Sequence, residues 1–330
     1  MDDRRAPGEH RDPLAQSGRS VDPRPAAGPI AILPEPTELM SSAVVEGGGE
    51  VAPLSDATAG VVWLGKSPEE LAAVLRDHPS VGWVQLPLAG VEAWGAVLSE
   101  FAHVTWTSAK GSFAEPVAEH AVALTLATLR QIPDKSRSDS WAQVKHGVSL
   151  YGRSVVIIGA GGIAVELIRL LAPFEVDITI VRRSSDPLPG ANRTVTSAEL
   201  ADVLPTADVV IVAAAATDET AQLLGATELA LLQPTAVLVN IARGRLVDTD
   251  ALVTALSEHR LWGAGLDVTD PEPLPDGHPL WSAPGVVITS HCADTPEMTV
   301  PLLAERVRLN VEALTGSGKF VGLVDPHSGY

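Results

Sequence analysis

The sequence has little cysteine and no long apolar run. Cys292 is the single cysteine among 330 residues, so an internal disulfide is excluded and a reducing compartment is favoured. No apolar run approaches the roughly 20 residues that a membrane-spanning helix needs. The N-terminus also lacks the apolar core of a secretion signal. We therefore expect a cytoplasmic protein that has no membrane partner.

Positive charge is also scarce. The chain has 23 lysines and arginines against 41 acidic residues, which gives a net charge of −18. Such a surface repels nucleic acid and anionic lipid, so we expect neither as a partner. An anionic ligand must then be held by a local group of donors that acts against the overall field. The hydrophobic fraction of 45% is that of an ordinary globular protein, and the length suggests two domains.

The first part of the chain divides into a tail and an alternating β and α region. Residues 1–28 contain prolines and few large apolar side chains, which predicts a mobile tail. From Gly28 onward, short apolar strands alternate with amphipathic helices, which predicts a parallel sheet covered on both faces. The predicted strands are 29–33, 60–64, 82–86 and 103–107, and the predicted helices are 67–77 and 91–101.

A second alternating series follows a helix predicted over 116–132. Its sheet would be followed by a last helix over 295–314, in which Pro301 predicts a break or kink. The fold class is therefore α/β, with two doubly wound parallel-sheet domains. The further predicted strands are 154–158, 177–181, 208–213, 236–240, 264–268 and 286–289, with a helix over 162–172.

A glycine-rich turn joins the strand 154–158 to its helix. The pattern G-x-G-x-x-A, from Gly159 to Ala164, is typical of dinucleotide binding when it lies between a strand and a helix. Gly159 permits the tight turn, and Gly161 lets backbone N–H groups approach a pyrophosphate at the helix N-terminus. A purely structural turn would not need the second glycine at this spacing. The predicted cofactor-binding residues here are Gly159, Gly161, Gly162 and Ile163.

The end of the next strand indicates which dinucleotide is bound. Arg182, Arg183 and Ser184 stand where an NAD-dependent enzyme carries an acidic residue that binds the adenosine ribose. Two guanidinium groups and a hydroxyl suit a 2′-phosphate instead, through charge-assisted and bidentate bonds. We therefore favour NADP(H) over NAD(H); a solvated basic turn is the alternative. No metal site is expected.

Three later segments place polar groups at strand ends, the edge at which open α/β sheets bind ligands. These segments resemble the D-isomer-specific 2-hydroxyacid dehydrogenase family, and the stretch from Leu266 to Pro275 followed by His278-Pro-Leu-Trp281 is closest to its glyoxylate/hydroxypyruvate reductase branch. The similarity extends from Gly28 to the C-terminus. The segments are Asn240 to Asp248, Gly263 to Pro275 and Gly285 to Asp294.

The resemblance implies an arrangement that the strand pattern alone does not fix. A Rossmann cofactor domain (115–294) would be inserted into a flavodoxin-like substrate domain formed by 29–114 and 295–330. The helix 116–132 would contribute to a homodimer.

The resemblance also implies a role for each site residue. Arg243 would bind the substrate carboxylate and polarise the keto group. His291 would act as the general acid and base, and Glu272 would orient its imidazole. Asp267 would contact the nicotinamide carboxamide, and Ile241 would lie beside the same ring. Ala89 and Gly90 belong to a loop whose N–H groups would bind the substrate carboxylate.

The sequence departs from the family pattern at several positions. Ser290 stands where proline is usual, and Cys292-Ala293 replaces a glycine-bearing continuation, so the histidine loop could differ in shape. Ala215-Ala216 replaces a Pro-Leu pair beside the cofactor. Glu175 occupies a usual glycine position, which predicts an unfavourable turn there.

The sequence thus predicts an NAD(P)H-dependent reductase of a small 2-keto acid that forms the D-2-hydroxy acid. Two alternatives stay open. One is an NAD-dependent D-2-hydroxyacid or phosphoglycerate dehydrogenase, although no basic cluster is seen in the first domain for a second phosphate. The other is a non-catalytic dinucleotide-sensing scaffold, which the retained Arg243, Glu272 and His291 disfavour.

Overall fold

The computed structural model describes residues 18, 20–141, 146–316 and 318–326. The chain forms two compact units. One contains the described residues up to Phe113 together with those from Pro296 onward, and the other spans Ala114–Thr295. Both are α/β units built on parallel sheets, which confirms the predicted fold class. Among the described residues, no helix has the length and apolarity needed to cross a membrane.

The first unit has a parallel sheet with the strand order β1-β2-β3-β4. A single parallel bridge between Ile30 and Val51 extends the sheet on the far side of β1. Counted as a strand, this segment gives the order 2-1-3-4-5 of a flavodoxin-like sheet. The strands are β1 (Ile30–Leu33), β2 (Gly60–Trp63), β3 (Trp83–Gln85) and β4 (Thr105–Thr107).

Two apolar clusters fill the space between this sheet and its helices. The second helix begins where the sequence predicts, because the hydroxyl of Ser67 accepts a hydrogen bond from the Glu70 amide and Pro68 occupies the first turn. The predicted helix 91–101 is a 3-10 turn followed by a shorter α-helix. The helices are α1 (Glu38–Glu46), α2 (Pro68–Asp77), α3 (Gly95–Glu100) and, from the end of the chain, α10 (Pro296–Thr315).

The second unit has a sheet with the order β11-β10-β9-β8-β5-β6-β7, and all its strands are parallel. Numbered within the unit, this is the Rossmann order 3-2-1-4-5-6 with a seventh strand added. The strands are β5 (Ser154–Ile158), β6 (Asp177–Arg182), β7 (Arg193–Thr196), β8 (Val209–Val212), β9 (Val237–Asn240), β10 (Gly263–Leu266) and β11 (Val286–Ile288).

The second sheet is buried on both faces. Along β5, Val155 and Ile157 pack into one apolar cluster, while Val156 and Ile158 pack into the other. The long helix α4 packs against α6 and against β9 and β10. The helices are α4 (Ala114–Leu129), α5 (Ile132–Ser136), α6 (Gly162–Leu171), α7 (Leu200–Val203), α8 (Ala226–Leu231) and α9 (Thr249–Ser257).

Two predictions are corrected by the structure. The helix predicted over 116–132 begins two residues earlier and ends at Leu129, where Gln131 takes a left-handed conformation before α5. Of the break or kink predicted at Pro301, the break is wrong, because α10 is continuous from Pro296 to Thr315. Pro301 lies near the N-terminal end, where the missing N–H removes a single intrahelical hydrogen bond.

The predicted tail falls largely outside the described residues. In its described part, Arg24 donates a hydrogen bond to the carbonyl of Gly318 at 3.1 Å, and Val21 packs against the core of the first unit. The packed unit therefore begins before Gly28.

Candidate functional site

The glycine turn follows β5 and leads into α6. Gly159 has a φ of +117°, and a Cβ there would lie 2.5 Å from the carbonyl oxygen of Ala213, so another residue would not fit. Gly161 is the N-cap of α6 and makes no side-chain cap, which leaves the first N–H groups of the helix available to an anion. A Cβ on Gly161 would meet nothing within 4 Å. The turn therefore has the space and donors that a pyrophosphate requires.

The basic group at the end of β6 lies on the surface of the second unit. Arg183 is exposed, and Arg182 and Ser184 are half-buried. Arg182 directs Nη1 to the carbonyl of Asp186 at 3.5 Å, and the Ser184 hydroxyl donates to the Asp186 carboxylate at 2.9 Å. The Asp186 carboxylate thus contacts Ser184, one of the three residues of the predicted 2′-phosphate site.

Arg243 follows β9 and is half-buried. Its Nη1 donates to the carbonyl of Ala242 at 2.7 Å. The side chain of Asn240 braces this turn, since it accepts from the Ala242 amide and donates to the Arg243 carbonyl, both at 3.0 Å. A Cβ on Gly244 would lie 1.8 Å from the carbonyl oxygen of Thr269, so the turn packs directly on the chain that follows β10.

Asp267, directly after β10, is buried with 2% of its surface exposed. One carboxylate oxygen accepts from the Thr289 hydroxyl at 2.6 Å and the Cys292 amide at 2.9 Å, and the other accepts from the Ala293 amide at 3.2 Å. Burial favours the neutral acid, but these bonds and the nearby His120 outweigh it and lower the pKa of Asp267 to about 2. Asp267 is therefore a carboxylate that holds the loop after β11.

His291 lies on that loop, and its imidazole contacts Glu272. The distance from Nδ1 of His291 to Oε1 of Glu272 is 2.6 Å, and both side chains are about half exposed. The backbone of His291 has a φ of +49°, which is rare for a residue with a side chain. Its amide donates to the Asp267 carbonyl at 2.8 Å. Because Nδ1 faces Glu272, Nε2 is the nitrogen that can address a substrate.

The remaining sequence-predicted residues divide between the two units. Ile241 is buried after β9, and Ile163 is half-buried in the first turn of α6. Ala89 is exposed and Gly90 half-buried in the loop after β3 of the first unit. His278 caps the 3-10 turn Pro279–Ser282, because its Nδ1 accepts from the Leu280 amide.

The structure brings several of these groups to one edge of the second sheet. Gly159, Arg243, Asp267 and His291 each follow a strand, β5, β9, β10 and β11 respectively, and these strands are parallel. Sequence reasoning missed Asn240, Thr289 and His120 as members of this edge. Asn240 and Thr289 carried a usable signal, since each is a polar residue at the end of an apolar strand.

A parallel sheet with a strand–glycine turn–helix unit, and with an arginine and a carboxylate–imidazole pair at the same edge, defines the class of dinucleotide-dependent dehydrogenases. Comparison with known proteins assigns the family. The model of the D-isomer specific 2-hydroxyacid dehydrogenase NAD-binding domain matches residues 122–293. The chain belongs to this family and is an NAD(P)-dependent oxidoreductase.

Among its relatives, an uncharacterized protein from the proB 3′ region of Corynebacterium melassecola is 38% identical over 300 residues, which cover 88% of this chain and 96% of that protein. A glyoxylate reductase of Pyrococcus furiosus is 37% identical over 207 residues, which cover 59% of this chain and 61% of that one. The crystal structure of an NADPH-dependent glyoxylate/hydroxypyruvate reductase from Sinorhizobium meliloti is similar with a TM-score of 0.68 at 28% identity, covering 91% of this chain and 98% of that one.

Proposed function

We propose that the protein is an NADPH-preferring reductase that converts a small 2-keto acid, with glyoxylate and hydroxypyruvate as the leading candidates, to the D-2-hydroxy acid. The observation that carries this proposal is the 2.6 Å contact between Glu272 and His291 at the sheet edge that also bears Arg243. The glyoxylate reductase relatives and the NADPH-dependent structural relative support the same reaction class.

The dinucleotide would be held at the glycine turn. The open space beside Gly161 and the uncapped N-terminus of α6 fit a pyrophosphate. Gly162 and Ile163 would contribute backbone groups in the same turn, and the backbone of Ile241 would lie beside the nicotinamide ring. When bound, the reduced nicotinamide supplies the hydride for the reaction.

The residues of the chain would supply binding, polarisation and a proton. Arg243 would bind the carboxylate of the substrate and polarise its keto oxygen, which a planar guanidinium does better than a lysine. His291 would donate the Nε2 proton to the developing alkoxide, while Glu272 stabilises the imidazolium form and its orientation. The binding of the substrate carboxylate by N–H groups of the loop with Ala89 and Gly90 stays a prediction. The contact of Asp267 with the nicotinamide carboxamide also stays a prediction.

A kinetic screen tests the reaction. Purified protein should oxidise NADPH, followed at the nicotinamide absorbance band, with at least one member of a panel of 2-keto acids, and glyoxylate or hydroxypyruvate should give the highest kcat/KM. Absence of turnover with every member, from protein shown to be folded and to bind NADPH, would contradict the reductase proposal and favour the dinucleotide-sensing scaffold.

The cofactor preference has a separate test. Arg182, Arg183 and Ser184 would bind the 2′-phosphate, whereas the Asp186 carboxylate beside them favours NADH. The double variant Arg182→Ala, Arg183→Ala should raise the KM for NADPH about tenfold or more and leave the KM for NADH within about twofold. An unchanged ratio of the two KM values would remove the argument for NADP(H).

We further propose a homodimer located in the cytoplasm. The single cysteine favours a reducing compartment. The dimer is proposed because the family resemblance implies that the helix 116–132, which corresponds to α4, contributes to a homodimer. Light scattering of the purified protein should give twice the 34.4 kDa chain mass; a mass of one chain at micromolar concentration would contradict the dimer.

A further inference from the structure

We propose that His120, Thr289 and Asp267 form a hydrogen-bonded chain that holds the loop carrying His291, which makes His120 and Thr289 positioning residues for the acid/base step. This inference rests on the proposed function for its catalytic consequence. Its structural part, the restraint of the loop, stands on contacts within the second unit alone.

The hydrogen-bonded chain connects three elements of the second unit. His120 lies on α4, Asp267 follows β10 and Thr289 follows β11. The distance from Nε2 of His120 to Oγ1 of Thr289 is 2.9 Å, and from the same nitrogen to Oδ1 of Asp267 it is 3.5 Å. The histidine side chain is 21% exposed, so these contacts are largely shielded from water.

The direction of each hydrogen bond follows from chemistry. Asp267 is ionised and can only accept, so the Thr289 hydroxyl gives its single proton to Oδ1. The hydroxyl oxygen then has only lone pairs to offer His120. The imidazole must therefore carry a proton on Nε2 and donate it, in either its neutral or its charged form.

This hydrogen-bonded chain ends on the backbone of the loop that carries His291. Asp267 accepts from the amides of Cys292 and Ala293, and its own carbonyl accepts from the His291 amide. The three amides on the loop are thus fixed by one residue. Because His291 has a left-handed backbone, which is unfavourable without such restraint, a weakened Asp267 should let the imidazole leave its position beside Glu272.

His120 and Thr289 orient the carboxylate that makes these contacts. Without them, Asp267 would keep its charge in a buried site with fewer donors and would turn towards other donors or towards water. The expected result is a shift of the loop and a lower rate of proton transfer. The cofactor-binding turn after β5 would be unaffected.

The test uses matched pairs of variants. His120→Phe and Thr289→Val remove the donor or hydroxyl, whereas His120→Gln keeps an amide donor and Thr289→Ser keeps the hydroxyl. His259→Asn is the control, since His259 is an exposed histidine at the end of α9 in the same unit and asparagine tolerates its φ of +55°. Each variant is compared with wild type for kcat, for the NADPH dissociation constant and for amide hydrogen exchange of 289–294.

We expect His120→Phe and Thr289→Val to lower kcat by about tenfold to 100-fold and to speed exchange in 289–294. The NADPH dissociation constant should rise by a clearly smaller factor than kcat falls, because Asp267 is also the residue predicted to contact the carboxamide. The Gln and Ser variants should keep most of the wild-type kcat and most of the wild-type protection from exchange in 289–294. Unchanged exchange in the Phe and Val variants would overturn the inference, as would a loss of NADPH affinity equal to the loss of kcat. If wild type shows no turnover, the proposed function fails, and the exchange measurement still decides whether the loop is restrained.

Discussion

Glu272 contacts the imidazole of His291 through one short hydrogen bond, and the two side chains are held by different loops. Glu272→Gln keeps the shape of the side chain but removes the negative charge beside Nδ1 of His291, on which the proposed proton transfer depends. We predict that kcat falls about tenfold to 100-fold, while the NADPH dissociation constant stays within about twofold. Steady-state kinetics and a fluorescence titration measure the two quantities.

The control for this change is Glu258→Gln, because Glu258 is exposed and pairs with Arg260. Both residues precede β10, whereas the site residue Asp267 follows it. It should behave as wild type. A kcat for Glu272→Gln equal to that of the control would show that the imidazole does not depend on this carboxylate.

Glu175 carries backbone strain after α6. Its φ is +54°, as expected for the residue at a usual glycine position. A left-handed backbone costs a residue with a side chain about 1–2 kcal/mol. Glycine avoids this cost, but about half of the resulting gain is offset because glycine loses more conformational entropy on folding. We predict that Glu175→Gly raises the free energy of unfolding by about 0.5–1 kcal/mol in urea denaturation. Glu175→Ala keeps the strain and should give no gain; equal stabilisation by both would contradict the strain argument.

The site residues differ in how far the sequence predicts them. Arg243 and His291 are predictable, because each follows an apolar strand and the ends of parallel strands share one edge. His120 lies in the middle of a helix, and its contact with Thr289 joins residues 169 positions apart. No local pattern encodes such a contact, so a lone helical histidine is indistinguishable from a packed one in the sequence.

At the scale of elements, Asp267 ties β10 to the loop after β11. Its pKa in the folded protein is about 2, below the ordinary value of 3.8, so it stabilises the fold above pH 4 and this contribution is lost as the pH falls from about 4 to about 2. We predict that Asp267→Asn lowers the free energy of unfolding by about 2 kcal/mol at pH 7 and that the gap to wild type narrows at pH 3.

Urea denaturation at the two pH values measures this gap. The exposed Asp177→Asn serves as the control and should stay close to wild type at both. A gap for Asp267→Asn that is equally large at pH 3 and pH 7 would mean that the ionised carboxylate is not what holds the loop.

Two of the elements absent from the sequence prediction, β7 and α1, differ in how strong a signal the sequence carries for them. β7 is a short edge strand in which only Val195 is buried, so its apolar pattern is too weak to indicate a strand. α1 was detectable, since Thr37 caps it and Met40, Ala43 and Val44 have helical spacing. The core strands were predicted because both faces of each sheet are buried, which requires nearly continuous apolar runs.

At the scale of the whole molecule, the negative charge of the chain opposes the binding of an anionic dinucleotide and an anionic acid. In the proposed function, binding therefore depends on a few local donors: the amides at the start of α6, the arginines after β6 and Arg243. These donors follow the parallel strands β5, β6 and β9 and so lie at one edge of the second sheet.

The central claim is that His291 supplies the proton for reduction of a 2-keto acid. The most direct measurement compares wild type and His291→Gln for glyoxylate-dependent NADPH oxidation, with NADPH binding followed in parallel. The account predicts that the variant binds NADPH as wild type does and that its kcat is lower by a factor of about 100 or more. A variant that binds NADPH normally and turns over at the wild-type rate would contradict it.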